Sequence, residues 1–457
     1  MGLTIPEGWF TIIRISLALL ISYIVAIQGF KNRCLWPSLI YMVVACLAPL
    51  SFYNPFLPFP ALENIRIGEI LIIILALGML VRGRFLIHRK AIILFCILTL
   101  LSTITSFIEY LTQDMTSMDL MFNFDGIFLI LLPLLTLMAV SNAFMHTWLS
   151  TSNQNYERSI MTTLYLVLII AVALILLGFS SYKYDFFKRL SISGGGPTVQ
   201  FAGGLGQFVM TALIIAQVLF VHSGSIKLAT ILALALTILG AGLIATFTRS
   251  AWFGWIAGTT VFLVINRQKM KKVVKAIIVG SLIIGAGMCL SQGSLFRDIV
   301  MALSPSNTGV YVLSRLVIWQ DVIDVVSTNP KYLLIGLGPG NYYLHSNVVE
   351  QGIVGTAHNQ YLDILCGSGI VGLVAFLLLL VTLWQIAYKL KNELLKTIGL
   401  SLLAAFSISS LFGDFLIHEP RNAGLLTFTL TGYFWIVMGL VLGEYFRARI
   451  ISNIKRR

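Results

Sequence analysis

Charge is scarce in this sequence. Of its 457 residues only 11% are charged, while 58% are hydrophobic. A soluble domain carries about a quarter charged residues, so a soluble globular protein is excluded. The composition is that of a polytopic membrane protein, which buries its apolar surface in lipid and between helices. Acidic residues are scarcer still, 18 against 31 Lys and Arg, which leaves a net charge of +13. The basic residues sit in short clusters between apolar runs, the pattern of topology signals rather than of a nucleic-acid-binding face, so no nucleic acid partner is expected. The five cysteines, Cys34, Cys46, Cys96, Cys289 and Cys366, lie in or beside apolar segments without paired spacing. That argues against a disulfide framework and a metal site, and neither a metal nor a cofactor is expected. No internal repeat is present. No small-residue cleavage site follows the first apolar run, so an uncleaved first span is expected.

A spanning helix needs roughly 17 to 25 mostly apolar residues. Such runs lie near 11–30, 35–52, 66–82, 91–109, 124–142, 160–179, 200–222, 227–247, 250–266, 274–291, 358–385, 396–416 and 424–443. The expected fold is all-α, with about 12–13 transmembrane helices. In the first run Arg14 either snorkels to the interface or marks a segment lying along the surface. If every span crosses, "RGRFLIHRK", "NRQKMKKVVK", "YKLKNELLK" and the tail "RARIISNIKRR" fall on one side. Positive charge marks the cytoplasmic side, so the C-terminus is expected there. Segments Ser180–Val199 and Gln292–Ala357 then face outward. The chain divides into N-terminal spans (1–291), one large extracytoplasmic loop (292–357) and C-terminal spans with a cytoplasmic tail (358–457).

Within the loop, "YVLSRLVIWQDVIDVVSTNP" predicts an amphipathic helix. Leu316, Trp319, Ile323 and Val326 recur on one face as its buried stripe, and Pro330 ends it. The turn "GLGPGNYY" lacks the strand and helix that a nucleotide-binding glycine loop requires.

Charge at the edge of a bilayer is costly and asks for a reason. Three residues of the outward edge are candidates to converge: Arg249 in the turn "TFTRSAWFGW", Arg315 on the loop helix, and His358 at the head of "HNQYLDILCGSGIVGL". Arginine stays charged and binds phosphate oxygens through a planar fork. A neutral histidine takes a proton from a hydroxyl near pH 7, worth roughly a hundred- to ten-thousandfold in rate. Together they suit stabilising a diphosphate leaving group while activating a sugar hydroxyl. Outside the cytoplasm a donor must carry its own activation, and a polyprenyl diphosphate fits a site at the bilayer edge. Each residue also has a plainer reading: a headgroup contact for Arg249, a solvated side chain for Arg315, local backbone bonding for His358. Asp363 lies about 140° around the helix from His358 and is not its orienting partner.

Weaker signals are the basic patch Lys183, Lys188 and Arg189, which suits phosphate or headgroups, and Arg66 with Glu69, spaced to pair. Asp414, His418, Glu419 and Arg421 form a polar turn. Trp319, Tyr342 and Tyr343 are candidates to stack on sugar faces, although the buried stripe is the preferred place for Trp319.

The segments "TFTRSAWFGWIAG", "SRLVIWQDVIDVVSTNPKYLLIGLGPGNYY" and "AHNQYLDILCGSGIVGL" resemble the signature region of the O-antigen ligase and O-antigen polymerase superfamily, from about Thr246 to Leu373. The resemblance implies a metal-independent, inverting glycosyltransferase of the all-helical membrane (GT-C-like) class, in the bacterial cytoplasmic membrane with its site facing the periplasm. It implies an undecaprenyl-diphosphate-linked glycan as donor. The acceptor is lipid A-core for a ligase, in lipopolysaccharide biosynthesis, or a lipid-linked repeat unit for a polymerase. By match, Arg249 and Arg315 hold the diphosphate and His358 is the acceptor's base. The competing classes are a transporter or flippase of a lipid-linked or anionic solute, and a non-catalytic scaffold for polysaccharide export. The concentration of polarity in one outer loop and its neighbouring helix ends favours the enzyme.

Overall fold

The computed structural model describes residues 73–74, 77–78, 88–112, 117–150, 153–180, 202–246, 248–269, 305–346, 348, 356–413, 415–417 and 424–454. In chain order the helices are α1 (Arg89–Thr112), α2 (Ser117–Ser150), α3 (Asn153–Ser180), α4 (Ala202–His222), α5 (Ile226–Ala245) and α6 (Arg249–Ile265). After them come α7 (Pro305–Ser327), α8 (Pro330–Ile335), α9 (Gln360–Tyr388), α10 (Glu393–Ser409) and α11 (Gly424–Ile454). No strand occurs among the described residues. Seven helices among them are long and apolar enough to cross a membrane, α6 being a shorter apolar helix. Each expected span within these residues coincides with a helix. Those at 11–30, 35–52 and 274–291, and all but four residues of 66–82, lie outside them. So do Arg14, Arg66, Glu69, Lys183, Lys188, Arg189, Asp414, His418, Glu419 and Arg421.

Lipid tails offer helices no hydrophobic drive to associate, so close packing of small residues must supply it. Helix α6 lies along α10 through Gly254 and Gly258, one turn apart. A Cβ on Gly254 would stand 2.7 Å from the Ala405 carbonyl oxygen, and one on Gly258 2.7 Å from that of Ser401. Helix α11 meets α2 in the same way, Gly439 against Val140 and Gly443 against Phe144. The large core side chains Trp435, Tyr433, Phe434, Phe406 and Phe208 fill the space between these pairs.

The loop elements form a small second core over the ends of α1 and α9. Ile318, Val322, Val325 and Val326 of α7 pack with Leu337, Tyr342, Ala357 and Cys366. This corrects the expected stripe: Leu316 and Ile323 are about half exposed (50% and 46%), Val326 is buried and Trp319 is half-buried. The apolar residues of the helix cover about half its circumference, wider than one stripe, so its tertiary partners choose which part is buried. The helix ends ahead of Pro330 as expected, and Pro330 has a second part. It occupies the first turn of α8, where its missing N–H costs nothing, behind an Asn329 cap that accepts from the Lys331 amide at 2.9 Å.

The glycine-rich turn is docked by its backbone. Leu337 N–H donates to the Cys366 carbonyl at 2.8 Å and Gly338 N–H to that of Gly367 at 2.9 Å. Helix α9 makes room by kinking at Gly369, whose φ of 66° and ψ of −170° are non-helical. A side chain at Gly369 would run into the Leu334 backbone, and one at Gly336 (φ 83°) into that of Ser368. Only glycine permits this approach from both sides.

Candidate active site at the loop and helix junction

His358 stands just ahead of α9 in a left-handed conformation (φ 48°), the one non-glycine residue of positive φ among the described residues. Such backbone costs of order 1–3 kcal/mol and persists only where the surroundings impose it. They do so on both flanks. Preceding it, the fully buried Ala357 donates its N–H to Asp363 Oδ1 at 2.9 Å, and its carbonyl oxygen accepts the Trp319 indole N–H at 2.9 Å. Following it, Asn359 caps α9, its side-chain oxygen accepting from the Tyr361 and Leu362 amides at 3.0 and 3.4 Å. Gln360 then accepts from the Leu416 and Ile417 amides at 3.0 and 2.9 Å and donates to the Ile417 carbonyl at 2.6 Å. Asp363 thus orients the backbone before the histidine.

The three expected residues meet electrostatically. Burial and then the positive charge of Arg315 push the His358 imidazole down to about 4, from an ordinary 6.5. Burial and then the charge of Arg249 lower Arg315 in turn. Charges feel each other in this way only at short range and with little water between. Arg249 opens α6 behind the Thr248 cap residue, and Thr248 packs on Gly206 of α4. The next residue, Ser250, accepts from the Gln207 side chain at 3.2 Å. Arg315 rides on α7 one turn before Trp319, so the bond that holds Ala357 also fixes the distance between Arg315 and His358. The His358 imidazole is thus held uncharged at neutral pH beside Arg315, and Arg315 in turn lies within the field of Arg249.

Several residues that hold this frame carried no sequence signal. Glu109, fully buried at the end of α1, accepts from Lys331 Nζ at 2.8 Å and meets His345 Nε2 at 3.3 Å. Asp321 Oδ2 accepts from the Tyr342 hydroxyl at 2.6 Å and the Ser346 hydroxyl at 2.7 Å. Tyr342 is therefore a buried strut, 6% exposed, and not a platform for sugar. Ser106, Asn123 and Asn341 form a chain of side-chain hydrogen bonds that ends on the Leu337 carbonyl. Their side-chain partners are 17 to 236 residues distant, beyond the reach of any local pattern.

Membrane-length helices without strands among the described residues define an all-α polytopic membrane protein, with the candidate site where the loop elements meet the start of α9. The family model described as O-antigen ligase matches residues 232–377. That stretch runs from α5 into α9, contains Arg249, Arg315 and His358, and is similar to the O-antigen ligase family over about a third of the chain. No curated protein matches the chain.

Proposed function

We propose that the protein is an inverting glycosyltransferase that moves a glycan from undecaprenyl diphosphate to an acceptor sugar hydroxyl on the outer side of the bacterial cytoplasmic membrane. One observation carries the proposal: a neutral imidazole lies in the positive field of Arg315, and Arg315 in that of Arg249, although the three are spread over more than a hundred residues of chain. The guanidiniums receive the donor's diphosphate, supplying the charge stabilisation that other glycosyltransferases draw from a divalent ion. The acceptor oxygen attacks the anomeric carbon from the face opposite the diphosphate, and His358 takes the hydroxyl proton. The sugar–phosphate bond breaks, and undecaprenyl diphosphate leaves with the electron pair.

A value of about 4 is low for a general base, which works best near the operating pH. The bound diphosphate corrects it. Its negative charge offsets the two arginines, so the imidazole gains basicity when donor arrives and is a poor proton acceptor without it. The acceptor is lipid A-core for a ligase and a lipid-linked repeat unit for a polymerase, and the site chemistry serves both.

The test is product analysis by mass spectrometry. Purified protein receives an undecaprenyl-diphosphate glycan with and without lipid A-core, beside a His358→Ala control. Glycan on lipid A-core identifies a ligase, and longer lipid-linked glycans a polymerase. Normal turnover by the alanine variant would remove His358 as the base.

A further inference from the structure

At the end of the bundle away from His358 lies a second basic constellation. Helix α9 starts two residues after His358 and runs to Tyr388, about 40 Å at 1.5 Å per residue. Beside its far end is a cavity of about 470 Å³ lined by His88, Arg89, Lys90, Phe446 and Arg449. A smaller hollow of about 70 Å³ shares His88 and Lys90 with it and extends to Gln385 and Lys389. Three helices therefore bring cations to two adjoining hollows that share His88 and Lys90: α1 with Arg89 and Lys90, α9 with its cap residue Lys389, and α11 with Arg449.

The cluster is not neutralised from within. Among the described residues no carboxylate pairs with any of the four, and the nearest in sequence, Glu444 and Glu393, are held by Arg447 at 2.7 Å and Lys396 at 3.5 Å. His88 sits in its midst against Tyr445. Its Nδ1 is buried without a hydrogen-bond partner among the described residues. Burial, followed by the charges of Lys90, Arg449 and Lys389, holds its imidazole below the ordinary value, so it offers a neutral N–H. Gathering like charges around an unsatisfied polar atom costs free energy unless an anion completes the set.

We propose that this cavity binds the phosphate of an anionic headgroup, with Lys90, Lys389 and Arg449 around the phosphate oxygens and His88 donating to one of them. The position suits a phospholipid, because Arg89 opens one membrane-length helix and Tyr388 closes another, at the level where headgroups lie. Basic pockets between spans are recurrent sites for such lipids. The volume of about 470 Å³ agrees, since it leaves room for a headgroup rather than a lone ion. The site is separate from the transferase chemistry and stands whether or not that proposal does.

The test is native mass spectrometry of the full-length protein in detergent, titrated with phosphatidylglycerol or with phosphatidylcholine. The wild type should retain phosphatidylglycerol at least tenfold more strongly. Each cation removed should weaken that retention about fivefold, so Lys90→Ala, Lys389→Ala and Arg449→Ala combined should abolish it. A control pair, Arg267→Ala with Lys391→Ala, removes exposed basic residues outside the cavity and should change nothing. Lys90→Arg with Arg449→Lys keeps the charge and should keep the lipid, which guards against loss through misfolding. Displacement of the lipid by millimolar inorganic phosphate would support the same site with a free phosphate as its natural ligand. Equal retention of the two lipids, or equal losses in the cavity and control variants, would overturn the proposal.

Discussion

The indole N–H of Trp319 donates to the carbonyl oxygen of Ala357 at 2.9 Å. That bond ties the helix bearing Arg315 to the residue before His358, so it sets the relation between cation and imidazole rather than either alone. Trp319→Phe keeps a ring in the second core and removes only the donor. A buried carbonyl then loses its partner, at a cost of about 1–3 kcal/mol. The expected outcome is a fall in kcat of roughly ten- to a hundredfold, since small misplacements are expensive in catalysis. Donor affinity should change little, because both arginines remain. Transfer kinetics with thermal unfolding in detergent will separate this from general destabilisation.

The state of His358 is open to direct titration. Its folded-state value is depressed, so the imidazole is neutral at pH 7 and protonates only as pH falls through about 4. Between 6.5 and 4 the folded state binds fewer protons than the unfolded chain. Stability from this group is thus fully present above pH 6.5 and is lost as pH falls toward 4. Diethyl pyrocarbonate modifies only neutral imidazole, and mass spectrometry localises the adduct. The midpoint of modification at His358 should lie near 4, and Arg315→Gln should raise it. The rise will be partial, because burial is the larger cause. Adding pyrophosphate to the wild type should move the midpoint in the same direction; no movement in either experiment would separate the arginines from the histidine.

Arg249→Lys and Arg315→Lys test the shape of the charge. Lysine keeps the cation but loses the fork that meets two phosphate oxygens together. Loss of one donor to a developing charge costs about a hundred- to a thousandfold in rate, and a retained point charge will recover part of that. A fall of roughly tenfold or more in kcat/KM for the lipid-linked donor is expected for each variant. Full activity in both would leave the diphosphate without its proposed clamp.

Run length and charge position made much of this legible. An apolar run of spanning length has few alternatives in a bilayer, so α1 through α6 and α9 through α11 follow from composition. Arg249, Arg315 and His358 stand out because charge at a membrane edge is costly. The face of α7 was not legible, since Ile318, Val322, Val325 and Val326 form as good an apolar stripe as Leu316, Trp319 and Ile323. Burial of Asp321 on that helix contradicts any apolar pattern until Tyr342 and Ser346 arrive 21 and 25 residues later. Gln360 and Glu109 were invisible for the same reason, as each matters through partners 56 or more residues away.

The Glu109 network yields a prediction about the cap. Its side chain is fully buried and serves both Lys331 and His345, which bracket the glycine-rich turn. Glu109→Gln is nearly isosteric but removes the charge that both partners face. Lys331 is 29% exposed and recovers some hydration, so the loss is expected at about 1–3 kcal/mol, the range for hydrogen bonds to charged groups, rather than the full cost of a stranded buried ion. Amide exchange in residues 330–346 should accelerate, while the interior of α2 and α11 stays protected. Uniform acceleration would mean that the glutamate supports the whole bundle rather than the cap.

The packing of α6 on α10 ties the membrane interior to the site. Gly258 lies two and a half turns along the helix that Arg249 begins, and a Cβ there would meet the Ser401 carbonyl at 2.7 Å and Ile214 at 2.7 Å. Gly258→Val must push α6 off α10, at a cost of about 1–3 kcal/mol for overpacking. The displaced helix carries Arg249 with it, so activity should fall further than stability alone explains, and donor affinity should fall with it. Gly224→Ala is the matched control, because a Cβ at that position meets nothing within 4 Å. Thermal unfolding and donor binding measured on both variants decide the point. If Gly258→Val unfolds earlier yet binds donor as the wild type does, Arg249 is placed by its own turn and not by the helix behind it.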